Sequence, residues 1–280
     1  KWEVSSPETT IDCSAAAYFF ARQLTESLHL PVGLVINSWG GSAIEAWMDE
    51  PTLKIVEGMD IEAAKNPKRG VHQRLECLYN SMLWPVKNFT ARGFLWYQGE
   101  SNISNYQFYA PMMTAMVQLW RNVWEAPDMP FYYVQIAPWG FDGNTSSQDW
   151  FYTQGPHVGW AYMREAQALT REQVSNSGMA VTMDVGDPDD IHPTNKRPVG
   201  ERLARLALNQ TYGRSDVACL GPRYNSLKVE NGVVKLLFDN AEGLKTNDGQ
   251  APKHFYVAAA AGRSHRFYPA AAEIHGSEVW

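Results

Sequence analysis

His192 stands three residues after Asp189 and two after Asp190, in a loop pinned by Pro188 and Pro193. A neutral imidazole accepts a proton near neutral pH, and a carboxylate beside one ring nitrogen fixes the tautomer that presents the other. That pairing gives hydrolases a general base for a hydroxyl nucleophile. The same residues also suit a loop that opens a helix, where Asp, Asn and Pro are favoured for capping alone. The apolar run 178–184 reads as a buried strand and residues 199–208 as a helix, so His192 is expected at the carboxyl end of a strand.

Two further segments carry polar or glycine-rich exits from apolar runs. Ser38-Trp39-Gly40-Gly41-Ser42 follows Leu30–Asn37, a short run suited to a strand buried on both faces. Adjacent glycines let backbone amides turn toward a ligand, and amides aimed at developing negative charge form an oxyanion hole. A plain tight turn would use the same glycines. Gly99-Glu100-Ser101-Asn102 follows the strand-like Phe94–Gln98, whose last residue offers its side-chain amide as a second oxyanion donor. Glu100 reads either as a base or as a loop-holding carboxylate, and Trp39 and Glu100 are assigned to the substrate side of the cleft. His29, His72, His157, His254, His265 and His275 have no acid beside them in such a loop and read as structural or surface residues.

The elements that must hold these loops alternate along the chain. Residues 14–28, 74–89 (with a break at Pro85), 106–125 and 161–174 have helical spacing, and 131–136 is another apolar strand. Residues 138–160 read as a long loop. Helices alternating with apolar strands predict an α/β domain with a mostly parallel sheet, whose ligand sites collect at the carboxyl edge. From about residue 213 the pattern turns to alternating strands, with a hairpin signal at Asn231-Gly232. The expected division is therefore a domain over 1–212 and a β-rich segment over 213–280.

Composition narrows the function classes. A net charge of −6 argues against nucleic acid or an anionic membrane as partner, and no apolar run is long enough to span a bilayer. The three cysteines, Cys13, Cys77 and Cys219, have neither metal-ligand spacing nor the density of a disulfide scaffold. No metal or other cofactor is expected. Eleven tryptophans suit either an aromatic core or a cleft that stacks on sugar rings. Asn-x-Ser/Thr triplets at Asn88, Asn102, Asn144 and Asn209 carry little weight by themselves. The first and last residues both read as cut from a longer sequence.

Taken in order, Pro31–Trp47, Phe94–Asn102 and Asp190–Lys196 closely resemble the sialate O-acetylesterase family of the SGNH (GDSL-like) hydrolases. The similarity extends through Gln210–Arg214 and the β segment behind it. It implies a three-layer α/β/α sandwich and serine-dependent removal of acetyl groups from sialic acids or related glycans. It also implies a secreted or periplasmic location, or a lysosomal one in an animal. By this resemblance His192 is the base, Asp189 the acid three residues before it, with Asp190 in support of a dyad as the alternative, and Gly40 the glycine donor. Gln98 stands where the superfamily has an Asn-bearing block. The family's Gly-Gln-Ser-Asn nucleophile motif has no counterpart here, so the serine is expected on a preceding segment or another chain. A glycan-binding protein with an esterase-like cleft is the other reading.

Overall fold

Three short strands, β1 (Phe94–Trp96), β2 (Phe131–Val134) and β3 (Ser177–Ala180), pair in parallel in that order. They belong to a computed structural model that describes residues 2–139, 158–187, 189–253, 255–257 and 268–280. Phe94 pairs with Phe131, and Phe131 with Ser177. The flanking helices are α1 (Ala15–Leu28), α2 (Tyr109–Val123), α3 (Val158–Gln173) and α4 (Arg197–Leu206). The central β2 is buried throughout, which is why Phe-Tyr-Tyr-Val shows no polar alternation.

Successive strand residues face opposite sides, and two tyrosines show what covers each. Tyr133 Oη donates to the Gln167 carbonyl of α3 at 2.6 Å, whereas Tyr132 Oη lies 2.8 Å from Thr211 Oγ1, just beyond α4. The result is an α/β/α sandwich. On the α2 and α3 side, Trp96 meets Trp120 edge to face at 5.5 Å, and Trp47 meets Trp96 at 5.9 Å. Trp120 Nε1 also donates to the Trp47 carbonyl at 3.0 Å, so these large rings are buried without stranding a donor. Much of the tryptophan content thus builds core.

On the other side α1 packs on α4. Ser14 caps the first turn of α1, its hydroxyl accepting from the Ala17 amide, and His29 ends the helix in the left-handed conformation at φ 55°. Gly200 lies where the two helices cross: a Cβ there would come within 2.5 Å of the Ala16 carbonyl oxygen and 2.7 Å of the Phe20 nitrogen.

Several expected elements differ. Leu30–Asn37 is not a strand; it pairs with no neighbour, and Val35 and Ile36 are 50% and 44% exposed. An apolar run becomes a strand only when its backbone finds a ladder partner, and no described strand provides one. β3 stops at Ala180 rather than reaching Asp184, leaving Val181 and Met183 exposed. The helix expected over 74–89 resolves into a wide turn at Tyr79–Leu83 and a tight one at Trp84–Val86, where Pro85 removes a backbone donor. Glu100–Phe108 forms tight turns before α2 begins. Most of the expected 138–160 loop lies outside the described residues.

A second compact unit comprises the described residues of Cys219–Trp280. Its strands β4 (Arg223–Glu230) and β5 (Val233–Asp239) form an antiparallel hairpin. Asn231 and Gly232 turn it with φ of 52° and 79°, the paired left-handed geometry that a two-residue hairpin turn requires.

Gly200→Ala should cost about 3 kcal/mol, the upper end for overpacking, because backbone atoms on α1 cannot move aside as a side chain can. Urea denaturation would read this; a loss under about 0.5 kcal/mol would show that the crossing is looser than described.

Candidate active site

Asn102 ties two of the three expected loops together. Its Oδ1 accepts from the Ile44 amide at 2.9 Å and from Gln98 Nε2 at 2.7 Å. Its Nδ2 donates to Glu45 Oε2 at 2.8 Å and to Asn105 Oδ1 at 3.2 Å. Asn105 in turn donates to Glu45 Oε1 at 3.1 Å, so a carboxylate only 2% exposed is held by two amides, with Arg69 3.9 Å away. Ser101 Oγ adds a bond to the Gly41 carbonyl at 2.9 Å. The loop after β1 and the loop at 38–47 therefore form one polar-bonded piece.

Gln98 is part of that piece. Its Nε2 donates to the Ser42 carbonyl at 2.9 Å as well as to Asn102, and its Oε1 accepts from Tyr109 Oη at 2.9 Å. A primary amide has two hydrogens, and both are spent. In this geometry Gln98 braces the loop carrying Gly40. Gln167 performs a similar service from α3, donating to the Gln98 and Val134 carbonyls and accepting the Ile136 amide.

Gly40 itself is open. Its amide has no acceptor among the described residues, and a Cβ built on it would meet nothing within 4 Å. Beside it Trp39 is 49% exposed and stacks on the His72 ring, nearly parallel at 6° with centroids 6.1 Å apart. His72 thus joins the rim of the site, a placement its sequence surroundings did not announce.

The third loop brings His192, whose side chain is 87% exposed. Asp190, not Asp189, is the carboxylate against the ring: Asp190 Oδ1 lies 3.5 Å from His192 Nδ1 and accepts the His192 backbone amide at 2.8 Å. That short turn fixes which aspartate the ring meets. The Asp189 amide instead bonds to Asp187 Oδ1 at 3.0 Å, and its exposed carboxylate has no bond to His192.

The His192 loop reaches β1 through Lys196. Its Nζ donates to Tyr97 Oη at 3.2 Å and sits 4.9 Å from that ring's centroid. Burial pushes the Tyr97 phenol up to about 12. It also holds the half-buried Glu100 carboxyl above the usual carboxylate range, against the opposing pull of its own backbone amide, Lys196 and His192. Burial pulls the Lys196 ammonium below its ordinary value, which the Glu100 and Asp190 carboxylates partly offset.

No serine hydroxyl bonds to His192 among the described residues. Ser42 Oγ accepts from Trp47 Nε1 at 3.0 Å, and Ser101 is committed to Gly41. No cluster of metal-ligating side chains occurs among the described residues. Asn102, one of the Asn-x-Ser/Thr candidates, is 1% exposed and fully engaged, so it cannot carry a glycan in the folded protein. Asn102, Asn105 and Gln167 are the supports that sequence reasoning missed. One signal was available, because Glu45 interrupts the apolar Ala43–Trp47 run and a carboxylate there needs a buried partner.

Comparison with known proteins bears on these loops. Residues 4–209 match the family described as carbohydrate esterase, sialic acid-specific acetylesterase. A sialate O-acetylesterase of Pongo abelii is 29% identical over 92% of this chain and 50% of its own length. The Homo sapiens sialate O-acetylesterase is 31% identical over 75% of this chain and 41% of its own. Among solved structures, a carbohydrate acetylesterase from Xanthomonas citri superposes with a TM-score of 0.84 at 35% identity, covering 100% of this chain and 59% of that one. The chain spans about half the length of the curated relatives it matches.

Asn102→Ala would leave the Ile44 amide, one Gln98 hydrogen and the Glu45 carboxylate without their partner, and should cost about 3 kcal/mol or more. A loss below about 1 kcal/mol in chemical denaturation would mean that the loops are not held by this side chain. Glu100 gives a pH-dependent expectation. A carboxyl whose pKa rises on folding binds its proton more tightly folded than unfolded. Stability therefore falls as pH climbs from the ordinary Glu value, about 4.3, through the raised one. Glu100→Gln removes this titration, so the variant's Tm should gain on the parent's as pH rises above the ordinary Glu value of about 4.3. A Tm difference that stays flat above that value would contradict the desolvation of Glu100.

Proposed function

Because the chain belongs to the carbohydrate esterase family of sialic acid-specific acetylesterases, we propose that it carries the general base and oxyanion loop of a carbohydrate O-acetylesterase. The carrying observation is the His192–Asp190 pair, in a loop tethered to the exit of β1, the strand exit whose next residues clamp the Gly40 loop. Acetylated sialic acids or related acetylated glycans are the substrate class in this reading. The exposed face of Trp39, backed by His72, suits stacking on a sugar ring.

The chemistry is acyl transfer. His192 takes the proton of a serine hydroxyl as the hydroxyl oxygen attacks the acetyl carbonyl, and Asp190 stabilises the imidazolium that forms. The carbonyl electron pair moves onto its oxygen, where the Gly40 amide donates. Collapse of the tetrahedral species breaks the bond to the sugar oxygen, which receives the proton from His192. Water then repeats the sequence on the acetyl-serine, releasing acetate and restoring the hydroxyl. The serine comes, in this proposal, from sequence outside these 280 residues, in keeping with the prior commitments of Ser42 and Ser101.

A binding module that keeps the cleft without turnover is the second reading, and the exposed Trp39–His72 stack favours it. Acetate release separates the two. In protein that includes the serine, His192→Ala should reduce hydrolysis of an aryl acetate by about 10⁴-fold or more. Asp190→Asn should cost more than Asp189→Asn. Undiminished activity in His192→Ala would remove His192 from the chemistry, and equal small losses in both aspartate variants would leave the histidine without an orienting acid.

A further inference from the structure

We infer that Lys196, clasped by Tyr97, is the positioning residue that sets the His192 loop against the exit of β1. The catalytic consequence rests on the esterase reading, whereas the positioning itself does not. Within residues 189–196 the other hydrogen bonds are short-range: Asp189 to Asp187, His192 to Asp190, the Lys196 amide to the Thr194 carbonyl, and the Gly200 amide to the Lys196 carbonyl at the start of α4. Such turns shape the loop, half-buried Ile191 against the core and buried Pro193 seat its backbone, and Lys196 adds the polar tie to the exit of β1. Among the described residues, the side-chain hydrogen bond that leaves this loop for the sheet runs from Lys196 Nζ to Tyr97 Oη. Since the His192 side chain is 87% exposed, packing does little to hold the ring.

Lysine meets the demand in three ways. Its ammonium donates to a phenol that stays protonated, because burial pushes Tyr97 up to about 12. It lies over the Tyr97 ring at 4.9 Å, where the face of the π-system attracts a cation. It also interacts with two carboxylates, Asp190, which holds His192, and Glu100, which follows β1 by four residues. Tyr97 immediately precedes Gln98, so the loop bearing the base and the loop bearing Gly40 are referred to the same strand end. Catalytic geometry tolerates errors of only about 1 Å before rates fall by orders of magnitude, so the effect should reach turnover.

The test uses Lys196→Met, Lys196→Arg and Tyr97→Phe in protein that includes the serine, with a neutral aryl acetate as substrate. Lys196→Met should lower kcat about 10-fold or more while KM changes less than about twofold. Tyr97→Phe keeps the ring and should lose less, and Lys196→Arg, which keeps charge and donors, should recover part of the activity. An unchanged kcat in Lys196→Met, or a change confined to KM, would overturn the proposal. So would equal losses in all three variants that simply track lowered melting temperature. A second readout needs no turnover: in the 280-residue chain, Lys196→Met and Tyr97→Phe should both shift the His192 imidazole NMR signals. Unmoved signals would also refute the clasp. If His192→Ala leaves acetate release intact, the esterase reading fails and the NMR comparison still judges Lys196.

Discussion

A buried side-chain amide must spend both its acceptor and its donor, and at Asn102 that requirement organises the whole site. The oxygen takes one hydrogen from the backbone at Ile44 and one from Gln98; the nitrogen gives to Glu45 and Asn105. No close substitute works. Aspartate would lose the donors and place a second negative charge beside Glu45, while leucine would orphan every partner at once. With the amide in place, a loop from early in the chain is bonded to a loop that follows a strand more than fifty residues later.

The clamp divides the site into a rigid part and an open part. Gln98, Asn102, Glu45 and Gln167 are buried and satisfied by one another and by the backbone, so they serve as supports. Gly40, Trp39 and His192 are left exposed, the first two on the loop that those supports hold and His192 on a loop tied through Lys196 to Tyr97. The proposed acyl transfer relies on such an arrangement, with dipoles aimed in advance and a base held from its own loop. Glu100 and Lys196 lie at the boundary, partly desolvated and balanced against one another.

Local signals made the helices and the parallel strands legible. β2 could be read because both of its faces are buried and its apolar run is unbroken, and the 231–232 hairpin because Asn-Gly accepts left-handed φ at both positions. Leu30–Asn37 misled because a strand is a non-local object: the apolar run is in the sequence, but the ladder partner is not. Gln98 shows a related limit. Its residue type advertises a donor, and only the positions of Ser42 and Asn102 show that both hydrogens are taken. That the His192 ring lies beside Asp190 follows from a single backbone hydrogen bond, finer than residue spacing can resolve. The clasp between Lys196 and Tyr97 spans ninety-nine residues and leaves no local trace.

Native-state hydrogen exchange at the Ile44 amide tests the clamp most directly, since that amide donates to Asn102 Oδ1 and opens a single tight helical turn rather than lying in a ladder. If Asn102 organises the site, Ile44 should exchange only through openings close to global unfolding, in company with the β2 amides. Exchange at the rate of an exposed loop, with β2 still protected, would contradict the account.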